Sequence, residues 1–115
     1  MSRDWPLFAA DMLDFCRRIE DFSDGLDFET FTASPKERDA LLMNIVLLGE
    51  AAAHIPEDIR RVWPDIPWRQ IVATRNALVH GYFAISDSIL WDLVTGAVPA
   101  LSPHLARLVD QHPAD

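Results

Sequence analysis

Between Ser34 and Ala53 the chain carries its strongest structural signal. Ser34 stands at an N-cap position, Pro35 at the first helical position and Glu37 three residues after the cap, the pattern of a capping box. Behind this start Leu41, Ile45, Leu48 and Ala52 recur at three and four residues, and Leu42, Val46 and Leu47 widen the apolar stripe. A stripe that broad needs cover on two sides, as at the centre of a bundle or at a subunit interface.

The flanking segments repeat the period. Phe8, Met12, Phe15, Cys16, Ile19 and Phe22 form one helical stripe with Asp11, Asp14, Arg17, Arg18 and Asp21 outside it, and Gly25 reads as its stop. Leu26 to Ala33 has room for a helical turn with Phe28 and Phe31 inward. Pro56, Pro64 and Pro67 divide the next region, because each removes an amide donor and disfavours helix in the residue before it. A short helix from Pro56 to Trp63 is expected, with Ile59, Val62 and Trp63 inward. Pro67 then opens a helix through Trp68, Ile71, Val72, Leu78 and Val79 that Gly81 ends. Ser86 or Asp87 caps a last helix with Ile89, Leu90, Leu93, Val94, Leu101, Leu105 and Leu108 inward, kinked at Gly96 and Pro99. No segment alternates with period two. The expectation is a single all-α domain over residues 1–115, an up-down bundle of four to five helices, and 115 residues suffice for one core.

The apolar runs are too short and too interrupted to span a membrane, and the N-terminus lacks the pattern of a secretory signal, so the protein is expected in the cytoplasm. A lone Cys16 excludes an intrachain disulfide and reads as a small buried hydrophobe. The formal net charge of −8 argues against broad nucleic-acid binding, which needs clustered Lys and Arg. The distribution is uneven. Residues 1–34 carry three basic and eight acidic side chains, 35–80 carry six of each, and 81–115 carry one and four. If a phosphate is handled, Arg60, Arg61, Arg69 and Arg75 are the available cations.

Chemistry concentrates in Arg75-Asn76-Ala77-Leu78-Val79-His80-Gly81-Tyr82. An imidazole titrating near neutrality can take the proton of a ribose 2′-hydroxyl, and a guanidinium can hold the phosphate as charge builds on its oxygens. Asn76 can orient either group. Positions five apart lie roughly 140° apart around a regular helix, so Arg75 and His80 converge only if the helix frays near Gly81 or if two chains contribute. The bland reading uses the same residues: His80 before Gly81 resembles a C-terminal cap with a left-handed glycine, and Tyr82 can simply pack its ring. An Arg-x4-His spacing also arises by accident in roughly one such chain in three, so spacing alone decides little. His54, His104 and His112 share no metal-ligand spacing with Cys16, and neither a metal nor another cofactor is expected. Glu50, in an apolar run, needs a partner such as an arginine, and a structural ion pair is its favoured role over a direct part in a site.

Glu37-Arg38-Asp39-Ala40, Gly49-Glu50-Ala51-Ala52, Pro67-Trp68-Arg69, Arg75 to Phe83 and Leu90-Trp91 stand in an order and spacing that resemble the HepT-like toxins of the HEPN superfamily, from about Leu7 to Val109. The resemblance implies an all-α bundle forming a two-fold homodimer, with Arg75, Asn76 and His80 of both chains lining a cleft for metal-independent RNA cleavage. It also implies a partner, a minimal nucleotidyltransferase antitoxin that neutralises the toxin by transferring AMP to Tyr82. Arg69, Arg60 and Arg61 are then candidate RNA contacts. A catalytically silent RNA- or protein-binding module regulated at Tyr82 is the competing reading, and a structural subunit without a site is a third.

Overall fold

The structure, a computed structural model, describes residues 4–81 and 85–114. Its elements are α1 (Trp5–Ser23), α2 (Phe28–Thr32), α3 (Pro35–Ala52), α4 (Glu57–Val62), α5 (Trp68–His80), α6 (Asp87–Asp92), a π-helical stretch (Leu93–Ala97) and α7 (Val98–Gln111). The last three join end to end. Counted as one, they bring the described residues to six helices, one more than the upper expectation, because both short segments are helical. No strand occurs among the described residues.

Ring and ion-pair contacts fix the directions. Phe8, early in α1, stacks on His54 just past α3, so α1 and α3 run antiparallel. Trp5 meets His112, beyond α7, and the last helix therefore returns along α1. Gly49 faces Ile71 and Arg75, while Leu42 and Val46 share a groove with Leu78 and Val79, so α5 runs antiparallel to α3. The order is up, down, up, down, as the expected bundle requires. The core is Met12, Cys16 and Ile19 of α1, Leu41, Ile45, Leu48 and Ala52 of α3, and Leu90, Val94, Leu101, Leu105 and Leu108 of the last helix. α3 lies between α1 and α5, which accounts for its two-sided apolar face.

Several local expectations change. Ser34 does stand at the N-cap of α3, but its side chain makes no capping hydrogen bond; its φ of −120° and ψ of 80° leave the extended conformation that aims a cap at the first amides. The capping box forms one helix earlier. Asp27 Oδ1 accepts from the Thr30 amide at 2.8 Å and Thr30 Oγ1 accepts from the Asp27 amide at 2.9 Å. Donation to Oδ1 from the Thr30 amide, and then from the Thr30 hydroxyl at 2.9 Å, holds the Asp27 carboxyl below the usual range. Phe22, Phe28, Val62, Val79 and Ile89, expected inward, are exposed. Phe22, Val62 and Ile89 lie at the edges of their stripes, where a 3.6-residue period does not separate a covered position from an open one, and Val79 lines an open groove beside α3.

The kink expected at Gly96 and Pro99 takes the form of a wide turn. Pro99 has no amide hydrogen and its ring crowds the carbonyl four residues back, so the preceding residues wind as π-helix, with Val98 N–H donating to Leu93 O. Gly25, at φ 79°, ends α1 as expected. Among the described residues no helix is long and apolar enough to cross a membrane.

Candidate active site

α5 is a regular helix from Trp68 to His80, so it does not fray before the histidine. Gly81 caps it at φ −108° and ψ 26°, outside the left-handed region. Its small size still matters, because a Cβ there would lie 2.9 Å from Ala77 O. The left-handed cap considered for His80-Gly81 is therefore absent.

Regularity sorts the candidate residues onto two faces. Arg69, Ala73, Asn76 and His80 recur at four, three and four residues and form one exposed stripe. Arg75 lies roughly a third of a turn away from it, against α3. One chain thus brings Arg69, Asn76 and His80 to a common surface and holds Arg75 beside it, without bringing Arg75 and His80 together.

Arg75 has a built seat. The Cα of Gly49 lies beneath its stem, and a Cβ at Gly49 would stand 2.3 Å from Arg75 Cβ and 2.9 Å from Cγ. From the next residue of α3, Glu50 Oε1 accepts from Arg75 Nη1 at 2.6 Å. Glu50 is thus paired with an arginine, as expected of an acid in that apolar run, and the arginine is the candidate phosphate binder itself. The carboxylate is 48 % exposed and the guanidinium-bearing side chain 22 % exposed. A pair so open to water contributes at most about 1 kcal/mol to stability. Arg75 Nε is buried with no hydrogen-bond partner among the described residues.

The remaining cations separate. Arg60 turns inward: Nε donates to Ile55 O at 3.0 Å, Nη2 to Ala52 O at 2.8 Å, and the guanidinium lies over the Trp68 ring. It closes the C-terminal end of α3, a place the sequence reading did not give it, and its donors face backbone rather than solvent. Arg61 is exposed, 3.9 Å from Glu57. Arg69 is exposed on the His80 stripe. Tyr82 lies outside the described residues. Arg38, in one of the sequence motifs, pairs with Asp87 and ties the start of α3 to the start of α6, a link that sequence reading missed.

Two depressions flank α5. A groove of about 360 Å³ runs along the α3–α5 seam and is lined by Asp39, Leu42, Met43, Val46, Leu78 and Val79, of which Met43 and Val79 are 56 % and 49 % exposed. The other, about 310 Å³, opens between α5 and the last helix with Ile45, Leu48 and Leu101 in its walls, and neither Asn76 nor His80 lines it. Among the described residues no three of His, Cys, Asp and Glu gather to hold a metal ion. The site therefore offers a seated guanidinium, an exposed imidazole and an exposed amide, a set suited to phosphodiester chemistry.

Comparison with known proteins places the chain in a family. A family model described as "Ribonuclease HepT-like" matches residues 12–108. "Probable ribonuclease HepT" of Thermococcus cleftensis is 32 % identical over 94 % of this chain and 98 % of its own length. "Putative RNase MJ0127" of Methanocaldococcus jannaschii is 33 % identical over 85 % of this chain and 81 % of its own. No solved structure matches. The matched span holds α3 with its Gly49-Glu50 seat and all of α5, and the chain belongs to the HepT-like ribonuclease family.

Proposed function

We propose that this protein is the toxin of a toxin–antitoxin pair, a metal-independent endoribonuclease whose site is composed by Arg75, Asn76 and His80 of two chains in a two-fold homodimer. The observation that carries the reading is the split of α5: Arg75 sits at the α3–α5 seam while Asn76 and His80 face solvent around the same regular helix. A two-fold axis near this face would set the arginine of one chain opposite the histidine of the other. The apolar groove of Leu42, Met43, Val46, Leu78 and Val79 lies on the same seam and supports that placement of the axis.

In the proposed reaction His80 takes the proton of a ribose 2′-hydroxyl. The oxygen attacks the adjacent phosphorus, and Arg75 stabilises the charge on the non-bridging oxygens. The bond to the 5′-oxygen breaks, water protonates that leaving group as the His80 imidazolium returns its proton to solvent, and a 2′,3′-cyclic phosphate and a 5′-hydroxyl result. Asn76 orients imidazole or phosphate, and exposed Arg69 and Arg61 extend the track for the RNA backbone. With a net charge of −8, binding is local and salt-sensitive. A minimal nucleotidyltransferase antitoxin switches the enzyme off by transferring AMP to Tyr82, adding bulk and negative charge two residues beyond His80 in sequence.

The test uses two inactive variants. Arg75→Ala and His80→Ala each abolish cleavage of tRNA or mRNA in EDTA. Mixed and allowed to exchange subunits, they recover about a quarter of wild-type activity, since half of the dimers are mixed and each of these has one complete site of two. No recovery despite verified exchange overturns the two-chain site. Full activity of His80→Ala overturns the mechanism, and no cleavage by any preparation, with growth arrest surviving His80→Ala, leaves the silent binding module. Co-expression with the nucleotidyltransferase should add the mass of one AMP or more at Tyr82.

A further inference from the structure

We infer that Glu50, seated next to Gly49, is the positioning residue that aims Arg75 at the RNA phosphate, an inference that rests on the proposed ribonuclease site. Three observations on α3 and α5 converge on it. The Arg75 stem is pressed against Gly49 so closely that even a methyl group there would overlap it. Beyond the stem, the bond from Nη1 to Glu50 Oε1 fixes the rotation of the guanidinium plane. A half-exposed carboxylate makes this a hinge at the surface rather than a buried pair, so the end of the arginine is held without being hidden.

The division of donors follows. A guanidinium has five N–H groups in one plane, and a carboxylate that takes one of them leaves the Nη2 pair free for a phosphate oxygen. Glu50 thus lets Arg75 be charged, oriented and open at once. Without it, the long side chain would sample several rotamers, and the phosphate would have to order the arginine as it bound. A contrasting role is a brake, in which Glu50 neutralises Arg75 and RNA must displace it. The two roles predict opposite signs.

Glu50→Gln keeps an oxygen that accepts from Nη1 and removes the charge, and Glu50→Ala removes both. If Glu50 positions Arg75, Glu50→Ala lowers kcat by about ten- to a hundred-fold with a smaller change in KM, and Glu50→Gln stays within about threefold of wild type. A rise in activity or a fall in KM in either variant identifies a brake and overturns the inference. An equal loss in Glu50→Gln and Glu50→Ala also overturns it, because rescue by a neutral acceptor is what separates aim from charge.

A second readout does not depend on cleavage. The order parameter of the Arg75 Nε–H group, measured by 15N relaxation, falls in Glu50→Ala and is retained in Glu50→Gln. If the wild-type protein does not cut RNA, or if Arg75→Ala cuts as well as wild type, the ribonuclease reading has failed and this measurement still decides whether Glu50 orders Arg75. An Arg75 side chain equally ordered in all three proteins overturns the inference by itself.

Discussion

Replacing Gly49 by alanine reverses the usual sign of a glycine-to-alanine change in a helix. Gly49 lies inside the 18-residue α3, where alanine is ordinarily preferred by about 1 kcal/mol because it restricts the unfolded chain and suits the helix. Here the new methyl would stand 2.3 Å from Arg75 Cβ and 3.3 Å from Ile71 O. Ordinary contact begins near 3.4 Å, so α5 must retreat from α3 by about 1 Å at this crossing, since a Cβ cannot rotate away as a side-chain tip can. Overpacking of this kind costs about 1–3 kcal/mol, which matches or exceeds the propensity gain and leaves a net loss of about 0–2 kcal/mol. For a domain of this size, 1 kcal/mol corresponds to a Tm lower by about 4–6 °C. Gly96, in the last helix, provides the control within the same chain, because a Cβ there meets nothing within 4 Å. Thermal unfolding followed by circular dichroism should place Gly96→Ala at or above wild type and Gly49→Ala below it. RNA cleavage by Gly49→Ala should fall at least tenfold, because Arg75 rides on the displaced helix. A Gly49→Ala protein as stable as Gly96→Ala would refute the reasoning, since it would mean that α3 and α5 do not approach as closely as the site requires.

Arg60→Ala removes two donors from the carbonyls of Ala52 and Ile55 and the guanidinium from the Trp68 face, and should lower stability by about 1–3 kcal/mol in urea titrations, with Arg60→Lys intermediate. If Arg60→Ala instead left stability unchanged and weakened RNA binding, its place would be with the RNA contacts. The Cys16 thiol, pushed up to about 12 by burial and secondarily by Glu20, should react with iodoacetamide at pH 8.5 roughly a thousandfold more slowly in the native protein than in urea. The same shift predicts a pH dependence. The native state keeps its proton between pH 9 and 12 while the unfolded thiol loses it, so stability is complete below pH 9 and declines above it, and Cys16→Ala should flatten that decline.

Much of this molecule was legible in its sequence because the responsible forces act over one or two turns of helix. Apolar residues at three- and four-residue spacing, proline at helix starts and Gly25 past the end of α1 mark every long helix, and the order of short and long segments gives the up-down bundle. The same locality explains the errors. Whether Phe22, Val62 or Val79 is covered depends on which helix arrives beside it, and whether Ser34 caps α3 depends on a ψ angle that the chain before it sets. At the site, sequence supplied the residue types at Arg75, Asn76 and His80 and the helical argument that one regular helix cannot bring Arg75 and His80 together. Tertiary structure decided the rest. Gly49 became a seat and Glu50 an orienting acceptor only because α3 and α5 cross there, 22 to 26 residues apart in sequence. Arg60 went to the end of α3, where backbone carbonyls needed donors, although in sequence it had looked as available to RNA as Arg69. Spacing along a chain fixes the faces of a helix, whereas the neighbour each face meets follows from how the helices pack.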